Sequence, residues 1–207
     1  MENKEYLEHL QGIRGLMEDR VKFNALSGLS AVFAGVYALI GAYSAYRMIY
    51  FAPEVIYRQV REGDHTPSLV GWLLAIAGIV LVAALATALY FSHRHAQQSG
   101  KSLWSKAFFR LLTQFSIPMM AGGVFVLALV WRGYFSLVSS SCLLFYGLAL
   151  ITAAHHTLSD IRALGISMLV TAGISLFYPG YGLYFWAFGF GILHIIYGSI
   201  MYIKYER

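Results

Sequence analysis

Seven histidines, one cysteine and ten acidic residues carry most of the reactive chemistry this chain has. Only one histidine, His194, falls inside a long apolar stretch, and no acidic residue does. An ionisable side chain in lipid is the default mark of a transport path or a reaction centre. A lone imidazole, with no carboxylate to tune or relay its proton, argues against a proton-coupled pump built on buried acids. It also leaves acid–base catalysis with a single core candidate. The polar neighbours expected at similar depth are Gln114 and Ser116 in one apolar run and Thr171 in another. Pro118 deprives a nearby backbone carbonyl of its helical partner. Together these groups can form a pocket for a small or lipid-like molecule. His194 can equally be a neutral ring hydrogen-bonded to a neighbouring helix. Gly191 and Gly198 flank it and leave room for a helix or a ligand.

Two histidine pairs, His93 with His95 and His155 with His156, stand at the ends of apolar runs. One imidazole from each pair, joined by Asp160, would suit zinc or another divalent transition metal. Spacings of one or two residues do not bring side chains together on a helix, so a site needs both pairs. The simpler expectation is histidines at helix C-termini, where positive charge is favourable. Haem held by two histidines needs both rings at one depth. His155 lies more than about ten ångströms from His194 along the membrane normal, at about 1.5 Å per residue, so haem is not expected. Cys142 is the sole cysteine and forms no internal disulfide.

The elements that must position these groups are set by composition. The chain is 58% hydrophobic and 12% charged, where soluble domains carry about 25% charge. The fold class is therefore all-α, a polytopic transmembrane bundle of six helices. The apolar runs extend over 24–50, 68–91, 107–131, 134–154, 163–178 and 183–203, each near the roughly 20 residues that cross a bilayer. The fifth is the shortest, and Pro179-Gly180-Tyr181-Gly182 turns it tightly into the sixth. Residues 1–23 show Leu7, Leu10, Ile13, Met17 and Val21 at helical spacing. This predicts an amphipathic interfacial helix that orients the first span or docks a cytoplasmic partner. No cleavable signal peptide is expected in this mixed, charged segment.

Orientation follows from the basic residues. With the N-terminus in the cytoplasm, Arg47, Arg58, Arg61 and Arg132 lie outside and the other eleven of the 15 lie inside. Both termini should face the cytoplasm of a cell whose inner membrane holds the protein. The net charge of +5 is thus a topology signal and implies no nucleic-acid partner. Tyrosines and tryptophans cluster at both expected interfaces, Tyr178, Tyr181, Tyr184 and Trp186 among the outer ones. A short helix is expected in the outer loop 52–67, and a polar loop from Ser92 to Ser102. Small residues at Ser27, Ala31 and Gly35, and at Ala34, Ala38 and Ala42, make the first span a central helix touched on two sides. Gly122, Gly123, Ala187 and Gly191 offer further close-packing surfaces. The second span, almost purely aliphatic, belongs at the lipid-facing periphery.

The stretch LSGLSAVFAGVYALIGAY, preceded by LMEDRVKF, covers residues 16–43. It resembles a group of small uncharacterised six-span bacterial inner-membrane proteins. That resemblance implies the fold and the membrane, and carries no known activity or site residues. The expected function is non-enzymatic binding of a small or lipid-like molecule, or of a partner protein, within the membrane. A small transporter or channel near His194 is the second expectation, and a membrane-embedded metal-dependent enzyme the third. Membrane lipids, a second copy or a membrane or cytoplasmic protein are the expected partners.

Overall fold

The computed structural model describes residues 27–51, 67–98, 104–158 and 160–205. The helix expected over residues 1–23 and the short helix expected in residues 52–66 lie outside them. Among the described residues the chain is all helix, with no strand. The helices are α1 (Gly28–Tyr50), α2 (Pro67–Gln98), α3 (Lys106–Trp131), α4 (Phe135–Ala153), α5 (Asp160–Leu176) and α6 (Gly182–Tyr205). Five of these, all but α5, are long and apolar enough to cross a membrane. With 17 residues, α5 reaches about 25 Å at 1.5 Å per residue.

Local signals account for the ends. The Ser105 hydroxyl accepts the Phe108 amide at 3.2 Å and caps the start of α3. At its far end Gly133, with φ +77°, allows the Gly133 amide to reach Val130 O and the Tyr134 amide to reach Leu129 O. This pair of bonds is a Schellman stop. Between α5 and α6, Pro179 precedes Gly180 at φ +95°, and the Tyr181 amide donates to Tyr178 O at 3.3 Å. The arrangement is a type II turn, as the Pro-Gly sequence leads one to expect.

One boundary differs from the sequence expectation. The second helix does not stop at Phe91; it continues to Gln98 through residues placed in a polar loop. That extension buries Ala96 against Phe108 of α3, while the Gln97 side chain meets the His93 ring at 3.0 Å on the exposed side. A buried alanine and an i, i+4 pair sustain the extra turns.

The helices form a row that thickens at one end. α2 packs chiefly on α1, α1 packs on α6, and α6 meets α4 and α5, while α3 covers the far side of α4. As expected, α1 is touched on two sides and α2 lies at the periphery. The core gathers Leu143, Leu150, Ile161, Leu164, Met168 and Met201 from α4, α5 and α6. Outside it, α2 and α3 present Ile79, Val82, Met120 and Val124 to their surroundings, each more than two-thirds exposed. A continuous apolar exterior of this kind suits lipid rather than water. The molecule is a multi-pass helical membrane protein.

Backbone approaches hold the row together. A Cβ on Gly35 would lie 2.6 Å from Gly191 O, and one on Gly198 2.7 Å from Gly28 O. Gly28 and Gly35 of α1 therefore approach the backbone of Gly198 and Gly191 of α6, with Ile195 packed beside Gly35 and Leu39 beside Gly191. The same device joins α4 to α5, where a Cβ on Gly147 or on Gly165 would lie 2.9 Å from the other's carbonyl oxygen. Gly122 of α3 is covered by Phe145, whereas Gly123 meets nothing within 4 Å. Small residues let helices approach closely in lipid, where burial of apolar surface supplies no drive.

Candidate functional site

The sixth helix is irregular in its middle. Residues Ala187–Leu193 form a π-helical segment, preceded by the single turn Gly182–Trp186 and followed by α-helix from His194. Such segments are rare and concentrate at functional positions. Glycines at 189 and 191 keep the widened turn free of clashes with Leu143 and Met168 on one side and Leu39 on the other.

His194 closes this segment. It is buried, with 5% of its surface exposed. Its backbone amide donates to Gly191 O, while its ring Nδ1 meets Gly189 O at 3.1 Å. A carbonyl only accepts, so Nδ1 carries the proton. In the neutral imidazole Nε2 is then an acceptor, and the Tyr146 hydroxyl of α4 donates to it at 2.8 Å. The Phe190 ring stacks on the imidazole at 6.0 Å, and Tyr146 touches Phe115 of α3 at 5.9 Å. Both ring nitrogens thus have partners. Gly191 and Gly198, which leave space beside His194, are filled by α1.

The residues nominated with His194 take other places. Gln114 contributes its backbone. Pro118 has no amide to offer the carbonyl four residues back, and the Thr152 hydroxyl from α4 lies 3.0 Å from Gln114 O. The same hydroxyl lies 3.0 Å from Ala149 O and 3.1 Å from Leu148 O of its own helix, so its one proton is shared between those carbonyls and the one freed by the proline. The Gln114 side chain is exposed and Ser116 is half-buried on α3. Thr171 is buried, and its hydroxyl donates to Ser167 O of its own helix at 2.8 Å. Tyr146 is the partner that sequence reasoning missed. It sits mid-span in α4, away from either aromatic belt, and a phenol at such depth needs a hydrogen-bond acceptor. That depth was the available signal.

The metal candidates are dispersed as far as the structure describes them. Among the described residues no three histidine, cysteine or acidic side chains come together. His93 pairs with Gln97, and His155 is exposed. The side chain of His156 lies outside the described residues. Asp160 binds elsewhere: Lys204 Nζ lies 2.9 Å from Oδ2, and the Tyr205 hydroxyl donates to the same oxygen at 2.6 Å. The Tyr205 hydroxyl, then the Lys204 ammonium, hold the Asp160 carboxyl below the usual carboxylate range. This cluster ties the start of α5 to the end of α6.

The open space lies at the other end of those two helices. A groove of about 600 Å³ is lined by Thr171, Ile174, Tyr178, Tyr181, Tyr184, Phe185 and Phe188. Its rim is phenolic, with Tyr178, Tyr181 and Tyr184 each more than half exposed. Its floor is apolar, because the one hydroxyl there, on Thr171, is already committed to Ser167 O. A smaller hollow of about 250 Å³ lies between α1 and α2, beside the Tyr37–Thr87 contact of 3.3 Å.

No family model matches this chain, no curated protein matches it, and no solved structure matches it.

Proposed function

We propose that this protein binds a lipid-like amphiphile in the groove between α5 and α6. The observation that carries the reading is the groove's division into an apolar floor and a phenolic rim. Its volume, about 600 Å³, falls within the roughly 300–1,000 Å³ of small-ligand sites. Ile174, Phe185 and Phe188 offer an acyl chain what hydrocarbon offers, with the Thr171 hydroxyl already partnered. A polar solute would lose its water there and gain no donor or acceptor. At the rim, tyrosine hydroxyls can bond a headgroup, as aromatic side chains do at membrane interfaces.

In the same reading the protein has six spans, with α5 as the short fifth, and both termini on the cytoplasmic side of a bacterial inner membrane. The basic-residue bias supports that placement. The groove then opens at the outer leaflet.

Photolabelling tests the reading. The protein in lipid nanodiscs is irradiated with a fatty acid bearing a diazirine on its chain, and the labelled peptides are mapped. Label should concentrate on residues 171–188 and fall when Ile174→Trp fills the groove. Uniform labelling of α2, α3 and the groove would overturn the proposal.

A further inference from the structure

We infer that His194 is a latch on the π turn of α6, and that this latch sets the register of the groove-bearing half of the helix. The inference deepens the proposed function, since the groove is its consequence, but the latch can be read without any ligand.

A π turn carries one residue more than an α turn over the same rise, so the helix above it is rotated by about 100° relative to an unbroken α-helix. The half below is held in place: Gly191, Ile195 and Gly198 are pressed on the backbone of α1. The half above carries Phe185 and Phe188 into the groove and sets Gly182 beside Ser139 of α4, whose hydroxyl donates to Gly182 O. Where the segment returns to α-helix, the His194 amide turns to Gly191 O and the imidazole takes Gly189 O. The side chain thus serves a carbonyl five residues back, the spacing of the π turn itself. Tyr146 fixes the ring from α4. Without the imidazole, the extra residue is free to migrate along α6, and the upper half turns away from Ser139.

A disulfide reports that register. In a Cys142→Ser background, Ser139→Cys with Gly182→Cys places cysteines where a Cβ on Gly182 lies 3.1 Å from the Ser139 Cβ. This is a few tenths of an ångström shorter than the Cβ separation of about 3.5–4.5 Å in disulfides, so a small outward shift of either helix end brings the pair into range. Cross-linking in nanodiscs should be efficient with His194 present and fall roughly fivefold in His194→Leu, the bias of about one net hydrogen bond. His194→Asn, whose amide nitrogen matches Nδ1, should restore cross-linking; His194→Gln, which matches Nε2, should not. The decisive control removes Ile192, an exposed residue of the π segment. In that deletion the helix needs no latch, so His194→Leu should no longer lower the yield. An equal loss with and without Ile192, or rescue by Gln and not Asn, would overturn the latch. If the register responds as expected but photolabelling does not, the latch stands and the groove reading fails.

Discussion

The two halves of α6 are built on opposite plans. From Gly191 down, the helix lies against α1 at its glycines, and carbonyl oxygens together with the Leu39 and Ile195 side chains fill the space where further side chains would stand. From Phe188 up, it carries aromatic rings into an open groove beside α5. The difference is one of side-chain volume on one continuous helix. Where residues are small, a neighbouring backbone comes in and the surface disappears. Where they are large and ring-shaped, the neighbour is held off and a cavity remains. The π turn at Ala187–Leu193 divides the two regimes.

Breaking the lower half should have the largest effect. Gly35→Leu or Gly198→Leu drives a side chain into backbone atoms 2.6–2.7 Å from the Cβ position. Overpacking of this kind costs about 1–3 kcal/mol or more. The folded yield in mild detergent should collapse. Gly71→Leu and Gly78→Leu, with nothing within 4 Å, should leave it unchanged. Leucine is also the better helix former, so equal damage at all four positions would show that the close contacts at Gly35 and Gly198 do not set the cost.

Next comes the divide itself. His194→Leu leaves the Tyr146 hydroxyl and Gly189 O without their partner, which should cost about 1–3 kcal/mol in thermal or steric-trapping measurements. Tyr146→Phe removes a single bond and should cost about half as much. A Tyr146→Phe loss as large as that of His194→Leu would place the strength of the node in the phenol. Thr152→Val, which strips the Gln114 carbonyl freed by Pro118, should cost about 1 kcal/mol. Double-mutant cycles in membranes put such bonds nearer 0.6 kcal/mol, so a loss of about 0.5–2 kcal/mol supports the assignment and no loss overturns it.

The upper half sharpens the contrast because substitution there should change binding while leaving stability alone. Phe188→Ala widens the groove and should alter photolabelling with little shift in the unfolding midpoint. A large loss of stability would mean that the ring is a packing element and the groove incidental.

The smallest effect belongs to the far end of α5 and α6. Asp160→Asn breaks the contacts to Lys204 and Tyr205, which are partly exposed, and exposed ion pairs contribute little. Because the Asp160 carboxyl is held below its usual range, its contribution is present above the unfolded carboxylate value of about 3.9 and is lost as pH falls through the folded value. Stability of the wild type and of Asp160→Asn should therefore run parallel from pH 7 to 5 and converge only in stronger acid. Divergence near pH 6 would assign the difference to another group.

Much of this could be read before any coordinates. Composition alone placed the chain in lipid, the small residues of α1 marked it as central, and the aliphatic α2 fell at the edge. Pro179 and Gly180 announced their turn. Pro118 announced a stranded carbonyl, though not the Thr152 hydroxyl that reaches it. The polar residues around Gln97 concealed two more turns of α2, because Ala96 is sustained by Phe108, a residue on another helix. Tyr146 was hidden for the same reason. Depth along a span can be counted in residues, but the face that a span turns to its neighbours cannot.

The sequence by itself determined the solvent. Apolar runs of membrane-crossing length, free of acids, can be stable only where water is absent, and a helix satisfies the backbone of such a run within the run itself. Tertiary structure decided partnership. It set which glycine met which carbonyl, which phenol met the lone imidazole, and where large rings kept two helices apart. These choices depend on the rotation of each helix about its own axis. That rotation is fixed by contacts between segments far apart in the chain, and in α6 by a single π turn that no local pattern announces.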